Sequence, residues 1–67
     1  MTIYVVEYGW SGDGSSVTDV LTSEMIALAV HDADEAAKDE VEFHRVTCWR
    51  LQDGRYVKDE TWPGVRS

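Results

Sequence analysis

The sequence predicts an α+β fold in which a single amphipathic helix packs on one face of a small antiparallel sheet, in the order β-β-α-β-β. Three stretches carry that prediction. Thr22 to Glu40, TSEMIALAVHDADEAAKDE, gathers Leu28, Met25, Ala36, Ala29, Ala33, Ile26, Ala37 and Val30 into one arc at about 100° per residue. Glu24, His31, Asp34, Glu35, Lys38 and Asp39 fall opposite. Thr2 to Tyr8 is rich in β-branched and aromatic residues, as strands are. Asp53-Gly54 supplies positive φ at both positions of a two-residue type I′ hairpin turn.

The elements follow in order. In the first strand Tyr4, Val6 and Tyr8 share one face and Ile3, Val5 and Glu7 the other. Trp10 then meets SGDGSS, a turn cluster in which Gly12 and Gly14 accept positive φ. Val17 to Leu21 reads as a short second strand hairpin-paired with the first, or as the opening turn of the helix, since Ser16 and Asp19 have capping-box spacing. Thr22 or Ser23 caps the helix, and Glu24 sits where the helix dipole favours an anion. A second parsing keeps Met25 to Val30 as a strand, followed by a short helix capped by Asp32 with Glu35 as its capping-box partner.

Val41 to Leu51 has strand composition, and the Asp53-Gly54 turn fixes the pairs Gln52 with Arg55, Leu51 with Tyr56, Arg50 with Val57, Trp49 with Lys58 and Cys48 with Asp59. Pro63-Gly64 ends the last strand at Trp62 at the latest. An alanine-rich helix suits a sheet face of large rings, which predicts Val6, Tyr8, Phe43, Trp49, Leu51 and Tyr56 beneath it. Ile3, Val5, Val46, Cys48 and Val57 would then form an open apolar face, the mark of an interface, unless a β-bulge in the third strand turns part of that set inward.

A chain of 67 residues makes one domain, residues 1–67, and buries only about 60% of the surface its unfolded form exposes. A single cysteine, Cys48, closes no intrachain disulfide and predicts a reducing compartment. MTIYVVEYGW has no basic segment or long apolar core of a signal peptide, and no apolar run reaches the ~20 residues of a membrane span, so the expected location is cytoplasmic. Net charge is −7, unevenly spread: nine acids against Lys38 up to Glu40 give −8, and four acids against five bases from Val41 onward give +1. That balance argues against direct contact with nucleic acid phosphates and points to a basic protein surface as partner.

Catalytic and ligand-binding patterns are weak. The Ser11 to Ser16 loop has glycines to cradle a phosphate but no G-x-x-x-x-G-K motif, so a small-molecule site there is a secondary alternative. Asp32 and Asp34 point about 200° apart on a helix and do not chelate one metal. His31, His44 and Cys48 lack the spacing of a zinc site, and Cys48 beside Arg50 reads as a small apolar residue rather than a nucleophile. No enzyme, cofactor or metal is expected. Trp10 and Trp62 sit at element ends beside Gly or Pro and are candidate partner anchors.

In size, charge and the order strand, strand, helix, Asp-Gly hairpin, the chain resembles small phage- or prophage-encoded inhibitors of host defence, anti-CRISPR proteins among them. The likeness is one of layout without a motif, so it assigns no residue roles; it implies a stoichiometric inhibitor without catalysis. The expected function is accordingly a non-enzymatic interaction module. Its acidic helix face, Glu24, Asp32, Asp34, Glu35, Asp39 and Glu40, docks with Trp10 and Trp62 on a basic surface that ordinarily binds nucleic acid. The alternative is a homo-oligomeric structural or regulatory module, a homodimer for one, associating through the open sheet face.

Overall fold

The computed structural model describes residues 1–10, 12, 14–37 and 41–66. Two strands, β1 (Thr2–Trp10) and β2 (Gly14–Leu21), precede one helix, α1 (Glu24–Ala37). The chain returns as β3 (Phe43–Gln52), β4 (Arg55–Lys58) and a short β5 (Val65–Arg66). The sheet runs β2-β1-β3-β4, every pairing antiparallel, with β5 on β3 beyond the end of β4.

The Asp53-Gly54 turn sets the β3–β4 register as the sequence predicts. Asp53 (φ 53°) and Gly54 (φ 83°) both take positive φ, and Gln52 with Arg55, Leu51 with Tyr56, Arg50 with Val57 and Trp49 with Lys58 are partners. Cys48 meets Asp59 through Asp59 N–H to Cys48 C=O at 2.8 Å, just past the ladder. β4 ends at Lys58, four residues before Trp62, because the Asp59 carboxylate accepts the Thr61 N–H and folds the chain into a turn.

Val17 to Leu21 is strand, and β2 begins earlier still, at Gly14, so Ser15 and Ser16 pair with Gly9 and Tyr8 in the ladder. The bulge lies between β1 and β2, where the register shifts at Val6/Glu7, and not in β3. Thr18 beside it donates its hydroxyl to the Val6 carbonyl at 3.1 Å. Ser23 is the helix cap: its side-chain oxygen accepts the Ile26 N–H at 3.3 Å and its carbonyl the Ala27 N–H at 3.0 Å.

The faces differ from expectation. β1 pairs β3 with Tyr4 opposite Cys48, Val6 opposite Val46 and Tyr8 opposite His44, so the even-numbered residues of both strands share a face. Val6, Val46 and Ala27 of α1 form the core, flanked by Tyr4, Leu21, Leu28, Val30 and Trp62. Val46 and Cys48 are therefore buried on the helix side, with Val57 of β4 on that same face. Phe43, Trp49, Leu51 and Tyr56 lie on the other face with Ile3 and Val5.

The helix is also turned about its axis relative to the predicted arc. Ala27 and His31 are buried, Leu28, Val30 and Asp34 half-buried, while Met25, Ile26, Ala29, Ala33, Ala36 and Ala37 are exposed. Alanines contribute little apolar area, so their majority does not orient the helix. Leu28 and Val30, straddling Ala27, do: Ala27 lets the backbone come down on Val6 and Val46 while the two longer chains flank the contact.

Candidate interaction face and buried ring row

Turning α1 in this way leaves an outward face of unusual make-up. Met25 is 80% and Ile26 54% exposed, with Ala29, Ala33 and Ala36 continuing the apolar strip. On a helix, Glu24, Asp32 and Glu35 line one flank of that strip. All three are exposed, and the Asp32 carboxylate stands 82% open. The helix holds four carboxylates and no Lys or Arg.

Asp34 is the exception among the predicted acids, half-buried and turned from that face. Asp39 and Glu40 lie outside the described residues. Trp10, at the end of β1, is 39% exposed, its ring edge-on to Tyr8 at 5.9 Å. Trp62 is half-buried and packs edge-to-face on Tyr4 at 5.7 Å, where it helps seal the core. The structure thus puts Glu24, Asp32 and Glu35 on one surface and gives Trp62 a structural place.

On the helix side of the sheet, a row of rings runs from the exposed Trp10 through Tyr8 and His44 to His31 of α1, with Tyr8 and His44 centroids 6.3 Å apart and His44 and His31 6.1 Å apart. His31 is 2% and His44 4% exposed. His31 Nδ1 stands 3.2 Å from Asp32 Oδ1 and Nε2 3.6 Å from Glu35 Oε2, so the carboxylates that border the outer face also hold this ring. His44 Nε2 is buried without a hydrogen-bond partner. Sequence reasoning placed His31 on the outer face and missed the row. The signal was present in the i, i+4, i+7 spacing of Ala27, His31 and Asp34, and in the alternation of His44 with Val46 and Cys48.

A shallow pocket of about 390 Å³ opens where β4 gives way to β5, lined by Arg45, Cys48, Lys58, Asp59, Trp62 and Gly64 among others. Burial, and next the charge of Asp59, push the Cys48 thiol up from its ordinary value, which disfavours the thiolate. Arg50 Nε–H donates to Asp59 Oδ2, on the wall of this pocket, at 2.8 Å. Among the described residues no group of three or more His, Cys, Asp or Glu side chains is placed to hold a metal ion. No described helix is long and apolar enough to cross a membrane. Compared with protein-family models, curated proteins and solved structures, the chain matches none at a significant level.

Proposed function

We propose that this chain is a non-enzymatic interaction module whose outward α1 face docks on a basic protein surface. The single observation that supports this is the exposure of Met25 and Ile26 beside Glu24, Asp32 and Glu35. Leaving a Met or Ile outside forgoes roughly 1.5–3 kcal/mol of burial each, which a chain of 67 residues can ill spare unless something covers them. An apolar strip flanked by carboxylates is matched by an apolar groove with a Lys/Arg margin, and the net charge of −7 steers such a partner from a distance. A basic surface of that kind is what nucleic-acid-binding proteins carry, so the module acts as a stoichiometric inhibitor that occupies it in place of the phosphate backbone.

The test is capture from a lysate of the source cells by the wild-type chain, by Glu24→Lys/Asp32→Lys/Glu35→Lys and by Ile26→Glu. The wild type retains a basic, nucleic-acid-binding protein that salt releases steeply, and both variants lose it while keeping the wild-type circular dichroism. A partner held equally by all three, or indifferent to salt, overturns the proposal.

A further inference from the structure

We propose that the outer edge of β2 joins two copies of this chain, the β2 strands adding to each other antiparallel about a two-fold axis at Val17. β2 is the terminal strand of the order β2-β1-β3-β4, and among the described residues it pairs with β1 alone. Alternate residues of such a strand point N–H and C=O away from the sheet, a template for another strand.

The two edges of the sheet are built differently. β4 is four residues long, carries Arg55 and Lys58, and gives way at the Asp59 turn to β5, which takes its place on β3. Shortness, charge and a covering segment are how natural sheets block edge pairing. β2 has eight residues, no Lys, Arg or Pro, and one charge, Asp19. Its one guard is the bulge where the register shifts at Val6/Glu7, and there Thr18 turns its hydroxyl inward to the Val6 carbonyl at 3.1 Å. One open edge and one blocked edge give a closed dimer and not a fibre.

What flanks β2 selects the occupant. On the face away from α1, Val17 and Val20 stand 57% and 56% exposed. On the other face, Glu24 lies near enough to Tyr4 of β1 and Cys48 of β3 for its charge to act on both, so the flank of α1 that carries Glu24, Leu28 and Glu35 leans toward β3. The opposite flank, Ile26, Val30, Ala33 and Ala37, leans toward β2 and is wholly apolar, with Ile26 54% exposed. A bare extended peptide adds a strand to this edge but no second layer. A second copy brings its own Val17 and Val20 on one face and its own apolar helix flank on the other, while the acidic flanks of the two helices point away from the junction. With the axis at Val17, the two Asp19 residues sit four strand positions apart, about 13 Å.

Sedimentation velocity from about 1 to 100 µM reads the association. The wild type is a dimer at the upper concentrations. Val17→Lys and Val17→Glu, each at an exposed position, set like charges opposite each other at the axis and weaken the dimer at least about tenfold. Mixing the two variants in equal amounts sets Lys against Glu and restores association to within about threefold of the wild type, which shows as well that both variants fold. Glu24→Lys/Asp32→Lys/Glu35→Lys, altered on the far flank of α1, keeps the dimer, so loss of a basic partner and loss of self-association are separable. A wild type that is monomeric throughout, an open-ended polymer, a dimer that both Val17 variants keep, or a mixture that stays monomeric overturns the proposal.

Discussion

The rings of His31 and His44 meet edge to face, 6.1 Å between centroids and 86° between planes, where α1 crosses the sheet. The His31 ring has the carboxylates of Asp32 and Glu35 beside it, whereas His44 Nε2 is buried without a hydrogen-bond partner. A buried nitrogen without a partner costs about 1–3 kcal/mol, so His44→Phe, which keeps the ring and removes that nitrogen, holds or raises the melting temperature. His44→Ala deletes the ring that Tyr8 and His31 touch and costs roughly 3 kcal/mol. For a domain of this size that is a fall on the order of 10 °C or more, read by thermal circular dichroism. A His44→Phe chain that melts well below the wild type contradicts the unpartnered nitrogen.

The orientation of α1 makes a second prediction, opposite to the one its alanine arc suggests. Ala27 has no exposed surface and lies against Val6 and Val46, so Ala27→Leu forces the helix off the sheet and costs about 1–3 kcal/mol. Ala29→Leu and Ala33→Leu, on the outward face, leave the denaturation midpoint within about 0.5 kcal/mol of wild type. Equal loss at Ala27 and Ala29 would place both against the sheet.

What the sequence disclosed divides along the same line. The Asp53-Gly54 register was legible because it is fixed by residues close in sequence, and local signals narrowed the α1 cap to Thr22 or Ser23 and Val17 to Leu21 to a strand or the first helical turn, of which the structure has Ser23 and the strand. The parity of the β1–β3 ladder was not, since Val6 opposite Val46 is a pairing across 40 positions, and a slip of one residue exchanges the faces. That slip put Phe43, Trp49, Leu51 and Tyr56 under the helix on paper and Val46 and Cys48 outside. The exposed carboxylates Glu24, Asp32 and Glu35 were legible because solvated charge needs no tertiary partner. Asp34 and His31 were not, because an arc of alanines outnumbers the Leu28 and Val30 that orient the helix. β5 has two residues and rests on its partner β3, which leaves no local pattern to read.

Cys48 is 3% exposed, and its thiol is pushed up first by burial and then by the charge of Asp59. The native chain is therefore inert to iodoacetamide at mildly alkaline pH, and the thiol reacts at the rate of a free cysteine once denaturant opens the fold. Mass spectrometry of the alkylated fraction along a urea series should trace the unfolding curve. Full modification of the folded chain would show that the space between β4 and β5 admits reagent to the sulfur.

Asp59 makes the pH dependence calculable. Its carboxylate accepts hydrogen bonds from the Thr61 hydroxyl, from Arg50 Nε–H at 2.8 Å and from the Thr61 N–H at 2.9 Å. These hold it at about 2, below the ordinary 3.8, with the Thr61 hydroxyl the largest cause and Arg50 next. A carboxyl with a folded value below its unfolded one stabilises the fold fully above the unfolded value and loses that contribution as pH falls through the folded one. The wild-type melting temperature thus declines between about pH 4 and pH 2 more steeply than that of Asp59→Asn, which has no carboxyl to protonate there. Thr61→Val removes the hydroxyl and moves the Asp59 midpoint back toward the ordinary value, a shift that carboxyl NMR resolves directly. A wild-type midpoint near 3.8 would mean that the turn closing β4 does not form around this carboxylate in solution.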